Sequence, residues 1–289
     1  MVFLMTPTPR AISVLPLLIA LLTAGCTHLF FHPIKPHVLD PNQLGLPVQD
    51  IYITTADGMR LHGWRLDAKP PVKGTILFFH GNAENISTHI GNVWWLPEYG
   101  FNLVLVDYRG YGRSDGAPTL DNVHNDAAAA LAHVFNMENV DPEKIAVFGQ
   151  SLGGAVAITT LAHSPYGQQV RALVLEGTFA DYRQITREKL GGFWLTWPLQ
   201  IPLSYTVSNR YRPMDDISRI DTPILIIHGQ ADTIIPPHHA EQLFAAARQP
   251  KQLWQVPETG HIQVFAQEEH RQRLADYLEQ VMRNTAAVQ

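Results

Sequence analysis

The 289-residue sequence has a single cysteine, Cys26, so no intramolecular disulfide can form within it. Charge is scarce as well. Only 16% of residues are Asp, Glu, Lys or Arg, against about a quarter in ordinary soluble domains. The balance is mildly acidic, with 21 basic and 26 acidic side chains and no basic run that could offer phosphates a surface. Nucleic acid is therefore not among the expected partners. With 20 glycines and 21 prolines and neither a collagen triplet nor a heptad period, low-complexity and fibrous classes are excluded. The longest apolar run, residues 11–24, has 14 positions, short of the roughly 20 that a membrane-spanning helix needs. What the chain does have is 46% hydrophobic residues, enough to bury a sizeable core.

The run 11–24 follows a start whose only charge is Arg10, which is the layout of an export signal. Its end, Leu22-Thr23-Ala24-Gly25-Cys26, resembles the bacterial lipoprotein signal, although Thr23 stands where Leu is commonest. The resemblance implies removal of residues 1–25 and acylation of Cys26. Because Thr27 is not the aspartate that retains such proteins at the inner membrane, it points to the outer membrane, facing the periplasm. An uncleaved inner-membrane anchor reaching through Cys26 to Phe31, or an ordinary secretory signal, stays open. Residues 26–47, with Pro33, Pro36, Pro41 and Pro47 and no apolar period, are expected to be an extended membrane tether.

From Val48 the pattern is orderly. Two alternating stretches, 48–54 and 59–66, joined at Asp57-Gly58, predict an antiparallel hairpin. Unbroken apolar runs then recur at 75–79, 103–106, 145–148, 172–175 and 224–227, as in strands buried on both faces. Helix-like segments at 121–135, 152–163 and 238–248 alternate with them, so the sheet should be mainly parallel, with helices on both faces. Residues 252–256 supply a last strand and 268–283 a last amphipathic helix, leaving 284–289 as a tail. One interval breaks the rhythm: 48 residues separate Leu175 from Ile224, and Phe193, Trp194, Trp197 and Tyr205 lie within it. An interval that long suggests inserted structure with its own role.

Gly149-Gln150-Ser151-Leu152-Gly153 is a G-x-S-x-G match lying between a strand run and a helix-like segment. A tight turn there would push the Ser151 hydroxyl outward, with glycines where side chains would collide. A serine hydroxyl needs a base and an acid that orients the base. Asp232 follows the run 224–227 and His261 follows the last strand, giving the order Ser, Asp, His at carboxyl ends of strands. Glu176 and Asp181 are rival acids. For the oxyanion, His80-Gly81-Asn82-Ala83 closes the run 75–79 and offers the Asn82 N–H, with the Leu152 N–H as the second donor. No metal site is expected: His238 and His239 are neighbours that should point apart on a helix, with no carboxylate or cysteine cluster nearby.

Phe79-His80-Gly81-Asn82-Ala83, Asp107-Tyr108-Arg109-Gly110-Tyr111-Gly112-Arg113-Ser114, Gly149-Gln150-Ser151-Leu152-Gly153-Gly154, His228-Gly229-Gln230-Ala231-Asp232 and Gly260-His261 together resemble the α/β-hydrolase superfamily. The likeness covers about 48–283 and is strongest to its serine aminopeptidase-like and esterase-like group. It implies an α/β-hydrolase fold and cofactor-free acyl transfer from a small carboxylic ester or thioester to water. Ser151 would be the nucleophile, Asp232 and His261 the rest of the triad, and Arg109 and Arg113 would fix a loop. Serine at the elbow disfavours the chemistries of relatives that place aspartate or cysteine there. The insertion, 178–216, would form a cap whose Phe193 and Trp197 wall an acyl pocket. An aminopeptidase, for which Glu188 is the one candidate amine partner, and a binding lipoprotein that kept the fold without catalysis are the alternatives. Oligomeric state is not legible.

Overall fold

The computed structural model describes residues 30–283. The expected signal 1–25, the acylated Cys26 and the tail 284–289 lie outside the described residues. Eight strands form one sheet: β1 (Val48–Thr54), β2 (Arg60–Leu66), β3 (Gly74–Phe79), β4 (Phe101–Val106), β5 (Ile145–Gln150), β6 (Ala172–Glu176), β7 (Ile224–Gly229) and β8 (Lys251–Val256). Their spatial order is β8-β7-β6-β5-β3-β4-β2-β1. β1 pairs antiparallel with β2, and β2 with β4; every other neighbour is parallel. The hairpin register runs from Val48 opposite Leu66 to Thr54 opposite Arg60, with Asp57-Gly58 in its turn.

The unbroken apolar runs are buried on both sides because successive side chains of a strand point to opposite faces. Leu77 and Phe79, Ile145 and Val147, and Ile224 and Ile226 join one core. Ile76 and Phe78, Ala146 and Phe148, and Leu225 and Ile227 join the other. The first core is covered by α1 (Leu120–Phe135), α2 (Leu152–His163) and α5 (His238–Ala246). In α1, Thr119 caps the start and Val123, Ala127, Ala130, Leu131 and Val134 make the buried stripe. α2 is buried all round from Leu152 to Leu161, as its small and apolar sequence permits. The second core is closed by α6 (Glu268–Arg283) through Leu274, Tyr277, Leu278 and Met282. Between β6 and β7 the cap contains α3 (Tyr182–Gly191) and α4 (Gln200–Ser204).

The proline-rich stretch does not lead freely away from the body. Phe31 is buried in the first core, and His32–Pro33 pairs in parallel with Ala83–Glu84. Hydrogen bonds in both directions tie this segment to the body. Asn85 Nδ2 donates to the Ile34 and Pro36 carbonyls at 2.8 and 2.9 Å, and Lys35 Nζ donates to the Ser114 carbonyl at 2.6 Å. The expected tether of 26–47 is thus, from Phe31 onward, a strap on the folded domain.

Candidate active site

Ser151 sits between β5 and α2 with φ 54° and ψ −120°, a backbone conformation rarely adopted by a residue with a side chain. Such a conformation costs on the order of 1–3 kcal/mol and persists only where the surroundings impose it. Here the Ser151 N–H donates to the Glu176 carbonyl at 2.9 Å, tying the turn to the end of β6. The flanking glycines are required by space. A Cβ on Gly149 would stand 2.5 Å from the Gly153 carbonyl oxygen, and one on Gly153 only 2.1 Å from that of Phe79.

His261 lies in the loop after β8, and its Nδ1 is 2.7 Å from Asp232 Oδ2. The other Asp232 oxygen accepts the Ile234 and Ile235 amides at 2.8 and 2.9 Å. Burial would raise the Asp232 carboxyl, but hydrogen bonds from His228 and His261 and the Ile235 amide overcome it and hold the group well below the carboxylate range. An ionised Asp232 accepting from Nδ1–H leaves Nε2 of His261 with the lone pair, the state a general base requires. Gly177, φ +60°, leaves room for the ring of His261: a Cβ there would meet Cε1 at 3.2 Å.

Neither rival acid touches His261. Glu176 accepts from Gln150 Nε2 at 2.6 Å and from the Val264 amide at 3.1 Å, and burial pushes it up to about 7. Asp181 caps α3 through the Gln184 amide and pairs with Arg212 at 2.5 Å. Arg109 is likewise structural, bound to Asp126 and Asp57, and Arg113 reaches Asp50 at 3.3 Å.

The loop after β3 passes directly over the elbow, where a Cβ on Gly81 would lie 3.7 Å from Ser151 Cβ. His80 Nδ1 binds the Gly81 carbonyl at 2.8 Å. The Asn82 N–H shares that peptide plane and, in a trans peptide, must point the opposite way. The Asn82 carbonyl is fixed in turn by the His32 N–H at 2.8 Å and the Tyr111 hydroxyl at 2.7 Å. Leu152 is the first residue of α2, so its N–H has no partner within the helix, and the positive end of the helix lies at Ser151. His80 falls in the loop motif already named, whereas Gly177 and the strap residue His32 carry no motif signal of their own; of these two only the glycine after a strand run could have been flagged.

Two expectations are corrected. Phe193 and Trp197 are 51% and 60% exposed, so they do not wall an enclosed pocket. From Gly192 to Leu199 the cap holds only the short turn Trp197–Leu199, and so thin a layer cannot turn every apolar side chain inward. His238 and His239 do not diverge: both open α5, their rings stack at 4.5 Å, and they meet the two oxygens of Glu188 at 3.0 and 2.9 Å. A carboxylate 50 residues away in sequence completes a cluster that spacing alone conceals. The cluster is committed to hydrogen bonding. His239 Nδ1 accepts the Ala180 N–H at 3.2 Å, so neutral His239 carries its proton on Nε2 and donates it to Glu188 instead of offering a lone pair to a metal.

The strand order, the strand-turn-helix at Ser151 and the loops carrying Asp232 and His261 define an α/β-hydrolase fold. The chain belongs to the serine aminopeptidase, S33, family of hydrolases, whose pattern matches residues 70–214. It is 36% identical over 231 residues to the uncharacterized protein YfhR of Salmonella typhi, covering 75% of this chain and 76% of that protein. To the alpha/beta hydrolase domain-containing protein WAV2 of Arabidopsis thaliana it is 34% identical over 250 residues, covering 81% and 80%. Among solved structures, an esterase of Pyrococcus furiosus, Pf2001, superposes with a TM-score of 0.70 over 88% of this chain and 98% of its own, at 23% identity.

Proposed function

We propose that the protein is a serine carboxylesterase that forms an acyl-enzyme on Ser151. The observation carrying this reading is the 2.7 Å contact between His261 and Asp232, on the same sheet edge as the strained Ser151 elbow. His261 Nε2 takes the Ser151 proton as Oγ attacks the ester or thioester carbonyl. The Asn82 and Leu152 N–H groups bind the oxyanion. His261 then protonates the leaving alcohol or thiol and activates the water that releases the acid.

The family match gives an aminopeptidase reading a foothold, since a peptide amine needs an acidic partner. Glu188, the cap's candidate, is engaged by His238, His239 and Gln184, which favours the ester. Turnover of a p-nitrophenyl ester series compared with aminoacyl p-nitroanilides separates the two. Ester turnover lost in Ser151→Ala supports the proposal, whereas anilide turnover alone transfers it to the peptidase. A chain with neither activity and no reaction with a fluorophosphonate would be the binding lipoprotein. For location we propose a bacterial envelope lipoprotein anchored through Cys26, on the resemblance of residues 11–26.

A further inference from the structure

The cap carries an apolar surface that the catalytic reading does not use. Phe193, Trp194, Leu195, Trp197, Leu199 and Ile201 are all more than half exposed, and Trp194 is 78% exposed. They fall within 193–201 of the cap, and residues 190–207 contain no charged side chain. Scattered exposed apolar residues are ordinary, but a contiguous patch marks an interaction surface. Trp and Tyr predominate where one side of a surface is apolar and the other wet, as in the interfacial layer of a bilayer. Basic side chains flank it: Arg187 and Lys189 are exposed just before the patch, on either side of the histidine-bound Glu188, and Arg210, paired with Asp121 at 3.3 Å, just after it. Arg183 lies over the ring of Tyr205, itself 65% exposed, at 5.2 Å. Such a rim suits anionic lipid headgroups.

The place where the described chain begins selects the occupant. Phe30 packs edge-on against Tyr182, with ring centroids 5.2 Å apart, and lies 6.3 Å from Phe179. The chain that follows the apolar run 11–24 in sequence therefore enters the described body at Phe30, at the root of the cap. Tyr182 opens α3, which at 1.5 Å per residue carries the chain about 15 Å to the patch. The link from Ala24 to Phe30 spans up to about 20 Å when extended. The apolar run and the cap patch can thus reach one plane.

We propose that the cap surface 193–205 rests in the interfacial layer of a lipid bilayer, beside the point where the N-terminal apolar run meets that bilayer. Docking does not depend on the hydrolase reading. If both hold, the active site is held at the membrane, because the cap springs from Gly177 and Thr178, and Gly177 lies so near His261 that a Cβ on it would meet the ring at 3.2 Å. Substrates would then be esters that partition into lipid.

The test uses the full chain on phosphatidylcholine–phosphatidylglycerol vesicles with brominated acyl chains, which quench tryptophan on contact. Residues 1–29 contain no tryptophan, so insertion of that segment is silent. Trp64, Trp95 and Trp254 are buried and Trp94 is half-buried with Arg271 over its ring, leaving the exposed Trp194 and Trp197 as the principal reporters. The wild type should be quenched by brominated lipid and its cap tryptophans protected from aqueous iodide. Trp194→Phe/Trp197→Phe should lose most of the bromine quenching while staying vesicle-bound. Equal quenching in both proteins, or a bound wild type whose tryptophans stay open to iodide, overturns the proposal. So does a blue shift that depends on protein concentration without lipid, which would assign the patch to a second copy of the chain. The iodide measurement needs no substitution, so a variant that failed to fold would not obscure the answer, and none of these readouts requires ester turnover.

Discussion

Asp232 reaches His261 across 2.7 Å, while Glu176, at the end of the neighbouring strand, is directed onto Gln150 and the Val264 amide. Two carboxylates at adjacent strand ends thus have different environments, one ionised and hydrogen-bonded, the other buried and raised to about 7. Asp232→Asn should lower kcat by roughly 10⁴ by removing the acceptor that fixes the His261 tautomer. Glu176→Gln should keep most of the activity. Steady-state kinetics on a soluble ester decide it, and the reverse pattern would exchange the two roles.

Glu176 also makes stability depend on pH. Its folded pKa, about 7, lies above the ordinary 4.5, so the folded state holds a proton that the unfolded chain releases. The associated stability is present below about pH 4.5 and is lost as pH rises to about 7, on the order of 3 kcal/mol in total. Glu176→Gln, neutral throughout, should show a shallower fall in melting temperature over that window. Parallel curves for the two proteins would count against a raised Glu176.

Asn85 holds the strap to the domain through two carbonyls and caps the turn Ile86–His89 by accepting from the Ser87 amide at 3.0 Å. Asn85→Ala should cost about 1–3 kcal/mol, because two partly buried hydrogen bonds to the strap and the cap on the Ser87 amide are lost together. The strap also fixes Asn82 through His32, so kcat should fall with little change in KM. Unchanged stability in urea would mean that the strap is held by other contacts.

Much of this was legible in the sequence. The double burial of the central strands follows from their unbroken apolar runs, and the elbow from two glycines whose side chains would strike the backbone. The order Ser151, Asp232, His261, each just after an apolar strand run, marks all three for strand ends. The strap was not legible, because its hold depends on side chains of Asn85, Ser87 and Lys35 rather than on periodicity. Nor was the direction of the cap aromatics: composition marks Phe193 and Trp197 as apolar but does not say which side of a thin cap they face. His238 and His239 converge only because Glu188 comes from a distant element.

The proposed lipid anchor rests on Cys26, the only thiol in the chain. Metabolic palmitate labelling with intact mass should find wild type labelled and lacking residues 1–25, and Cys26→Ser unlabelled and unprocessed. Several acyl chains would make such anchoring stable, each buried CH₂ adding about 0.8 kcal/mol. An unlabelled wild-type mass that includes residues 1–25 would favour the uncleaved anchor.

The nucleophile is tested most directly by a fluorophosphonate probe followed by peptide mapping. Wild type should gain one probe adduct, on the peptide containing Ser151, and lose ester turnover in step with labelling. Ser151→Ala should take no label and hydrolyse no ester while melting as a folded protein. An adduct on another residue, or ester turnover surviving in purified Ser151→Ala, would contradict the assignment of Ser151.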